Sequence, residues 1–124
     1  MSRERPRVLV VEDDLSILTG VSMNLRYEGF EVLQAQDGAH GLEMAVSESP
    51  DLIVLDVMMP RRSGFSVLEH ISHRGATGPR IVVVSANEEH RHEQIARDKG
   101  ADLYLKKPFE MRELLAAVDG LLKA

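Results

Sequence analysis

An open, parallel α/β sheet with helices on both faces is the fold that this sequence predicts. Three observations carry it. Short apolar runs of strand length, Val8 to Val11, Leu52 to Leu55 and Ile81 to Val84, lack polar alternation, as strands covered on both faces do. Segments with apolar residues at helical spacing lie between and after those runs. Glycines and a proline stand where helices should stop and start.

Taken in order, strand one is followed by a helix whose buried line is Leu18, Val21 and Leu25, and Gly29 stands where that helix should end. Glu31 to Ala35, interrupted by Gln34, is a weaker run that suits a sheet edge. Leu42, Ala45 and Val46 mark helix two, and Phe65, Leu68 and Ile71 mark helix three beyond strand three. After strand four comes a mostly polar helix around Glu88 to Lys99, with Ile95 and Ala96 as its expected buried contacts and Gly100 at its end. Leu103 to Leu105, bordered by Lys106, reads as the other edge strand. Pro108 is expected to open helix five, whose stripe of Met111, Leu114, Leu115, Val118, Leu121 and Leu122 is the strongest amphipathic signal in the chain. Five strand-then-helix units with right-handed crossovers give an open sheet wound in both directions.

At 124 residues the chain fits one domain, 1–124, with 1–6 as a flexible charged leader. Only two Tyr, three Phe and no Trp mean an aliphatic core, and the absence of Cys excludes disulfides and thiolate metal sites. No run approaches the ~18 apolar residues of a membrane span, and the leader lacks the apolar stretch of a signal peptide, so a cytoplasmic protein is expected. A net charge of -5, with scattered basic residues, opposes direct nucleic-acid binding by this domain.

Reactive residues gather at the strand ends. Strand one runs straight into Glu12, Asp13 and Asp14, which repel one another and gain nothing from a core, so a positive partner is expected there. Strand three ends in Asp56, strand four in Ser85, and strand five in Lys106 and Lys107, whereas strand two ends at Ala35 without such a group. Ligands of open α/β sheets bind beyond these carboxyl ends. If strands one and three are neighbours, their ends lie about 5 Å apart. Carboxylates that close, without His or Cys, favour a hard ion such as Mg²⁺. One of them, beside Lys107, is placed to attack a phosphoryl group whose oxygens the metal, the ammonium and the Ser85 hydroxyl would stabilise.

Each of these residues also has a plainer reading. Ser85 alone is more often a satisfied turn hydroxyl, Lys107 a solvated lysine and Tyr104 a half-buried edge residue. His90 and His92, two apart on a helix, do not share a face, so a solvated charged helix is expected there, and His70 and His73 are read as surface residues.

Four motifs in sequence turn this pattern into a family resemblance. Val10-Val11-Glu12-Asp13-Asp14, Val54-Leu55-Asp56-Val57-Met58-Met59-Pro60 followed by Gly64, Val84-Ser85-Ala86, and Tyr104-Leu105-Lys106-Lys107-Pro108-Phe109 resemble the receiver domain of two-component response regulators, over nearly the whole chain. The resemblance implies a flavodoxin-like, doubly wound sheet of strand order 2-1-3-4-5 with five helices. It implies that Asp56 accepts a phosphoryl group from the phosphohistidine of a sensor histidine kinase or phosphotransfer protein. Asp13, Asp56 and the backbone carbonyl of Met58 would bind Mg²⁺, Glu12 would act through a metal-bound water, and Asp14 would stand off the metal. Lys107 would contact the phosphoryl oxygens, with a cis bond to Pro108. Ser85 and Tyr104 would form a switch pair that reshapes the face of helix four, strand five and helix five for an output domain or partner, or for a phosphorylation-dependent homodimer. No turnover of an external substrate is expected.

Some positions depart from the family pattern. Arg62, after Arg61, stands where a methionine is usual, and Ser85 replaces the commoner threonine. Met58 and Asn87, two beyond Asp56 and Ser85, resemble the family's places that tune autodephosphorylation. Leu103 and Ala117 replace charged residues associated with dimers of the winged-helix regulators. Two other readings compete: a receiver-like interaction module that is never phosphorylated, and a magnesium-dependent phosphohydrolase. The second would want its nucleophile in an Asp-x-Asp pair on strand one, whereas Leu15 lies two beyond Asp13, and no cap domain is expected within these 124 residues.

Overall fold

The apolar runs pair as one five-stranded parallel sheet in a computed structural model that describes residues 5–58, 64–72, 78–86 and 90–123. The elements are β1 (Arg7–Val11), α1 (Leu15–Tyr27), β2 (Glu31–Ala35), α2 (Gly38–Ser47), β3 (Leu52–Asp56), α3 (Gly64–Ser72), β4 (Arg80–Ser85), α4 (His90–Asp98), β5 (Leu103–Lys106) and α5 (Met111–Lys123). The strand order is β2-β1-β3-β4-β5, so the two weaker runs are the edges.

The unbroken apolar runs of β1, β3 and β4 have a direct cause. Alternate residues go to opposite faces, and both faces are covered. Leu9, Val11, Ile53, Leu55, Ile81 and Val83 pack with Ala45 of α2, Val67, Leu68 and Ile71 of α3, and Ala96 of α4. Val8, Val10, Leu52, Val54, Val82 and Val84 pack with Leu18, Val21 and Leu25 of α1 and with Leu114 and Val118 of α5. Gly29 and Gly100, at φ 98° and 114°, take the left-handed turns that end α1 and α4.

Three details differ from the sequence reading. α2 buries Gly38, Gly41 and Ala45, leaving Val46 53% exposed, because Gly41 lies so close to Val11 that an added Cβ would sit 2.8 Å from its methyl carbon. Helix five begins at Met111, three residues beyond Pro108. α4 is solvated at His90 and Arg91, as expected, but not at His92, which packs against aromatic rings. Met59, Pro60, Arg61, Arg62, His73, Asn87, Glu88 and Glu89 lie outside the described residues.

At the start of α3, Gly64 meets the end of β3 so closely that a Cβ would stand 2.3 Å from Val57 Cα and 2.8 Å from the Asp56 carbonyl oxygen. Backbone cannot rotate away as a side-chain tip can. Gly64→Ala is therefore expected to cost about 1–3 kcal/mol, as overpacking does, and to displace Asp56. Urea denaturation checks the first effect. An unchanged midpoint would contradict this packing.

Candidate functional site

The parallel register sets the site. Val11 pairs with Leu55, so the next residues of β1 and β3 emerge side by side, and Ser85 pairs with Lys106 at the other end of the row. The ladder continues past the strands: Glu12 N–H donates to the Ala35 carbonyl at 3.0 Å, Val57 N–H to Val84 at 3.2 Å and Lys107 N–H to Ser85 at 2.8 Å. These bonds fix the backbone from which the functional side chains project. The Lys107–Pro108 peptide bond is cis.

The three acids after β1 have three different surroundings. Asp14 caps α1, its Oδ1 accepting from Ser16 N–H at 2.9 Å and Ile17 N–H at 3.2 Å. Asp13 is exposed. Glu12 is 2% exposed, its Oε2 accepting from Asp14 N–H at 3.1 Å and its Oε1 from Lys107 Nζ at 2.7 Å. Asp56, also 2% exposed, accepts from Met58 N–H at 2.8 Å through Oδ1 and from Lys107 Nζ at 3.1 Å through Oδ2. Carboxylate oxygens of Glu12, Asp13 and Asp56 lie within 4.8 Å of one another. Ser85 is fully buried at the end of β4, and Tyr104 of β5 is 7% exposed.

One ammonium thus faces two buried carboxylates, with a third at the rim. Burial pushes the Glu12 carboxyl up to about 7, and the charge of Asp56 acts in the same direction, against the pull of Lys107 and the Asp14 N–H. Burial acts to lower the Lys107 ammonium, but its bond to Glu12 and the charge of Asp56 prevail and hold it above its ordinary value. Lys107 stays charged, and negative charge in the pocket remains in excess. Such a cluster of oxygen donors without His or Cys, open to solvent at Asp13 and at the half-exposed Met58, fits a hard divalent cation that keeps several waters.

A pH dependence follows. Glu12 binds its proton more tightly folded than unfolded, so without metal its contribution to stability is lost as pH rises from 4.5 to about 7. The loss is on the order of 3 kcal/mol. Urea midpoints in EDTA at about pH 5 and about pH 8 should differ less in Glu12→Gln than in the wild type. Equal pH slopes in the two proteins would contradict the assignment.

Five parallel strands in this order, with an acidic cluster and the half-buried Lys107 at their carboxyl ends, form a doubly wound, flavodoxin-like α/β sheet. The pattern described as "Response regulator receiver domain" matches residues 8–119, and the chain belongs to that family. It is the receiver domain of a response regulator in two-component signalling. The chain is 40% identical over 117 residues to Response regulator MprA of Mycolicibacterium vanbaalenii, covering 94% of this chain and 50% of that protein. It is 41% identical over 120 residues to the DNA-binding dual master transcriptional regulator RpaA of Synechocystis, covering 95% and 49%. It spans about half the length of these relatives. Among solved structures, the Francisella response regulator 1452 receiver domain superposes with TM-score 0.88 at 31% identity, covering 96% of this chain and 98% of that one. A CheY-like receiver domain protein from Methanospirillum hungatei superposes with TM-score 0.89 at 29% identity, covering 97% and 95%.

The structure brings together Glu12, Asp13, Asp56 and Lys107, with Met58 two residues beyond Asp56 and Ser85 beside Lys106 and Lys107 across the β4–β5 pair. Tyr104 sits two positions before Lys106 on β5, opposite Val83 and beside His92. Sequence reasoning missed the direct Glu12–Lys107 bond, which joins residues 95 apart and leaves no local trace. It also missed that His92 turns inward onto Phe65 and Tyr104, with its Nε2 buried. No described helix is long and apolar enough to cross a membrane.

Proposed function

We propose that this domain is a phosphorylation switch in which Asp56 accepts a phosphoryl group from the phosphohistidine of a sensor histidine kinase or phosphotransfer protein. An Asp56 carboxylate oxygen attacks phosphorus, the phosphorus–nitrogen bond breaks, and the imidazole nitrogen leaves with the bonding pair. The observation that carries this reading is the pair of contacts at Asp56: one oxygen is held by Met58 N–H at 2.8 Å, and the other meets Lys107 Nζ at 3.1 Å in a pocket with excess negative charge. Mg²⁺ held by Asp13, Asp56 and the Met58 carbonyl, with Glu12 acting through a water, would neutralise the acids and the phosphoryl oxygens. Lys107 exchanges its carboxylate contacts for a phosphoryl oxygen, and the Ser85 hydroxyl moves to donate to another. Tyr104 is already buried, so the space vacated by Ser85 lets its ring shift toward the phosphoryl site and reshapes the face of α4, β5 and α5.

Upstream we place a histidine kinase, and downstream an output domain or partner protein that reads this face. The greater length of the relatives supports the second, and one of them is named as a DNA-binding regulator. The test is incubation with acetyl phosphate and Mg²⁺, followed by intact mass. One phosphoryl group is expected, absent when EDTA replaces Mg²⁺. A protein that stays unmodified under efficient donor conditions would favour the phosphorylation-independent interaction module.

A further inference from the structure

We propose that His92 of α4 is a positioning residue that holds Tyr104 in its buried place, and that the hold requires a neutral imidazole. The proposal rests on the reading of Tyr104 as the switch residue. Three elements contribute one ring each: Phe65 from the first turn of α3, His92 from α4 and Tyr104 from β5. The His92 ring centroid lies 4.8 Å from Phe65 with an interplanar angle of 63°, and 6.2 Å from Tyr104 with an angle of 69°. Both are edge-to-face aromatic contacts.

Two features give this trio a role beyond packing. Apart from Ile95, which is half-buried, and Ala96, its one fully buried residue, α4 is polar, so the His92 ring adds to a small apolar contact between this helix and its neighbours. Phe65 directly follows Gly64, whose backbone rests on Val57 and the Asp56 carbonyl. The rings therefore lie on a packed route from the phosphoacceptor strand end, through α3 and α4, to Tyr104. That route is separate from the one through Ser85.

His92 Nε2 is buried and, among the described residues, has no hydrogen-bond partner. A neutral ring with its proton on Nδ1 leaves only a bare lone pair there. Protonation places an N–H and a share of positive charge at the same point with no acceptor among the described residues, which disfavours the packed arrangement. The described charged groups on the elements around it are committed elsewhere: Glu69 of α3 pairs with Lys99, Glu93 of α4 with Arg97, and Asp102 before β5 with Arg80. His90 and Arg91 of α4 and Lys106 of β5 are exposed and add positive charge, which opposes a second cation at His92. Acidification is thus expected to loosen α4 from Tyr104.

The chain has two tyrosines and no tryptophan, so in a Tyr27→Phe background tyrosine fluorescence reports Tyr104 alone. Tyr27 is 90% exposed on α1 and makes no part of the site. Acrylamide quenching is measured with Mg²⁺ at about pH 8 and about pH 5.5, with far-UV circular dichroism confirming the fold. The background protein should be protected at the higher pH and quenched severalfold more at the lower. Adding His92→Phe should give protection at both, and adding His92→Ala quenching at both. Glu12 titrates in the same window but is present in all three proteins, so differences among them belong to position 92. If His92→Ala does not fold, the His92→Phe comparison still decides. The inference is overturned if His92→Phe keeps the wild-type pH response, if His92→Ala stays protected, or if acidification lowers quenching. Acetyl phosphate labelling of the same samples separates the two readings. Normal labelling with Tyr104 indifferent to position 92 defeats this inference alone, whereas no labelling defeats the receiver switch itself.

Discussion

Asp56→Asn is expected to take up no phosphoryl group while folding at least as stably as the wild type. The amide oxygen of asparagine still accepts the Met58 N–H, which the wild type holds at 2.8 Å, and the 2.7 Å Lys107–Glu12 bond remains. What disappears is the anionic nucleophile and one charge of the crowded pocket. Because the Asp56 charge helps to push the Glu12 carboxyl up to about 7, its removal lets Glu12 ionise at lower pH beside Lys107. Loss of chemistry without loss of stability therefore separates the acceptor role from a structural one. Intact mass after donor treatment and urea denaturation without metal are the two readouts. Incorporation into the asparagine variant would move the acceptor elsewhere, with Asp13 the next carboxylate to test.

Lys107→Ala is expected to produce the largest loss of stability, in a manner that metal and protons can reverse. The ammonium bridges two carboxylates whose side chains are each 3% exposed, and breaking a buried pair of this kind costs about 3–5 kcal/mol. Glu12 can reduce that cost by holding its proton, so the penalty should be greatest above pH 7 and smaller as pH falls toward the ordinary glutamate range. Mg²⁺ should offset part of it for the same electrostatic reason. The measurement is urea denaturation at about pH 8 and about pH 6, with and without Mg²⁺. A small loss that ignores both variables would mean that Lys107 packs but does not neutralise. In the phosphorylated protein the same variant should leave the α4–β5–α5 face unresponsive, since no ammonium meets the phosphoryl oxygens.

Most of the fold was legible because each signal was a one-dimensional consequence of burial. Strands covered on both faces cannot alternate, so β1, β3 and β4 announced themselves as unbroken apolar runs, and Glu31, Gln34 and Lys106 marked the edges. The strand order came from the motif resemblance, because local residue patterns do not say which strand lies beside which. Where the reading slipped, the cause was a contact between distant residues. Gly41 lets α2 lie close to Val11, which rotates its buried face away from Val46. Pro108 sits in a cis bond ahead of α5, not in its first turn.

The site shows the same division. The acids at the ends of β1 and β3 were conspicuous because charge following an apolar run gains nothing from packing. That Asp14 caps a helix and Glu12 meets Lys107 depended on which way each side chain turns. His92 was hidden by its setting in Glu88-Glu89-His90-Arg91-His92-Glu93, where composition argues for a solvated face. Only the approach of α3 and β5 gives that ring its neighbours.

The most direct test of the shared-cation account is a Mg²⁺ titration of the ¹⁵N-labelled domain, followed by amide resonances. Saturable shifts confined to residues 12–14, 56–58 and the vicinity of Lys107, abolished by Asp13→Asn, are the expected result. Resonances at these positions that stay still at millimolar Mg²⁺, or that drift without saturation, would contradict it.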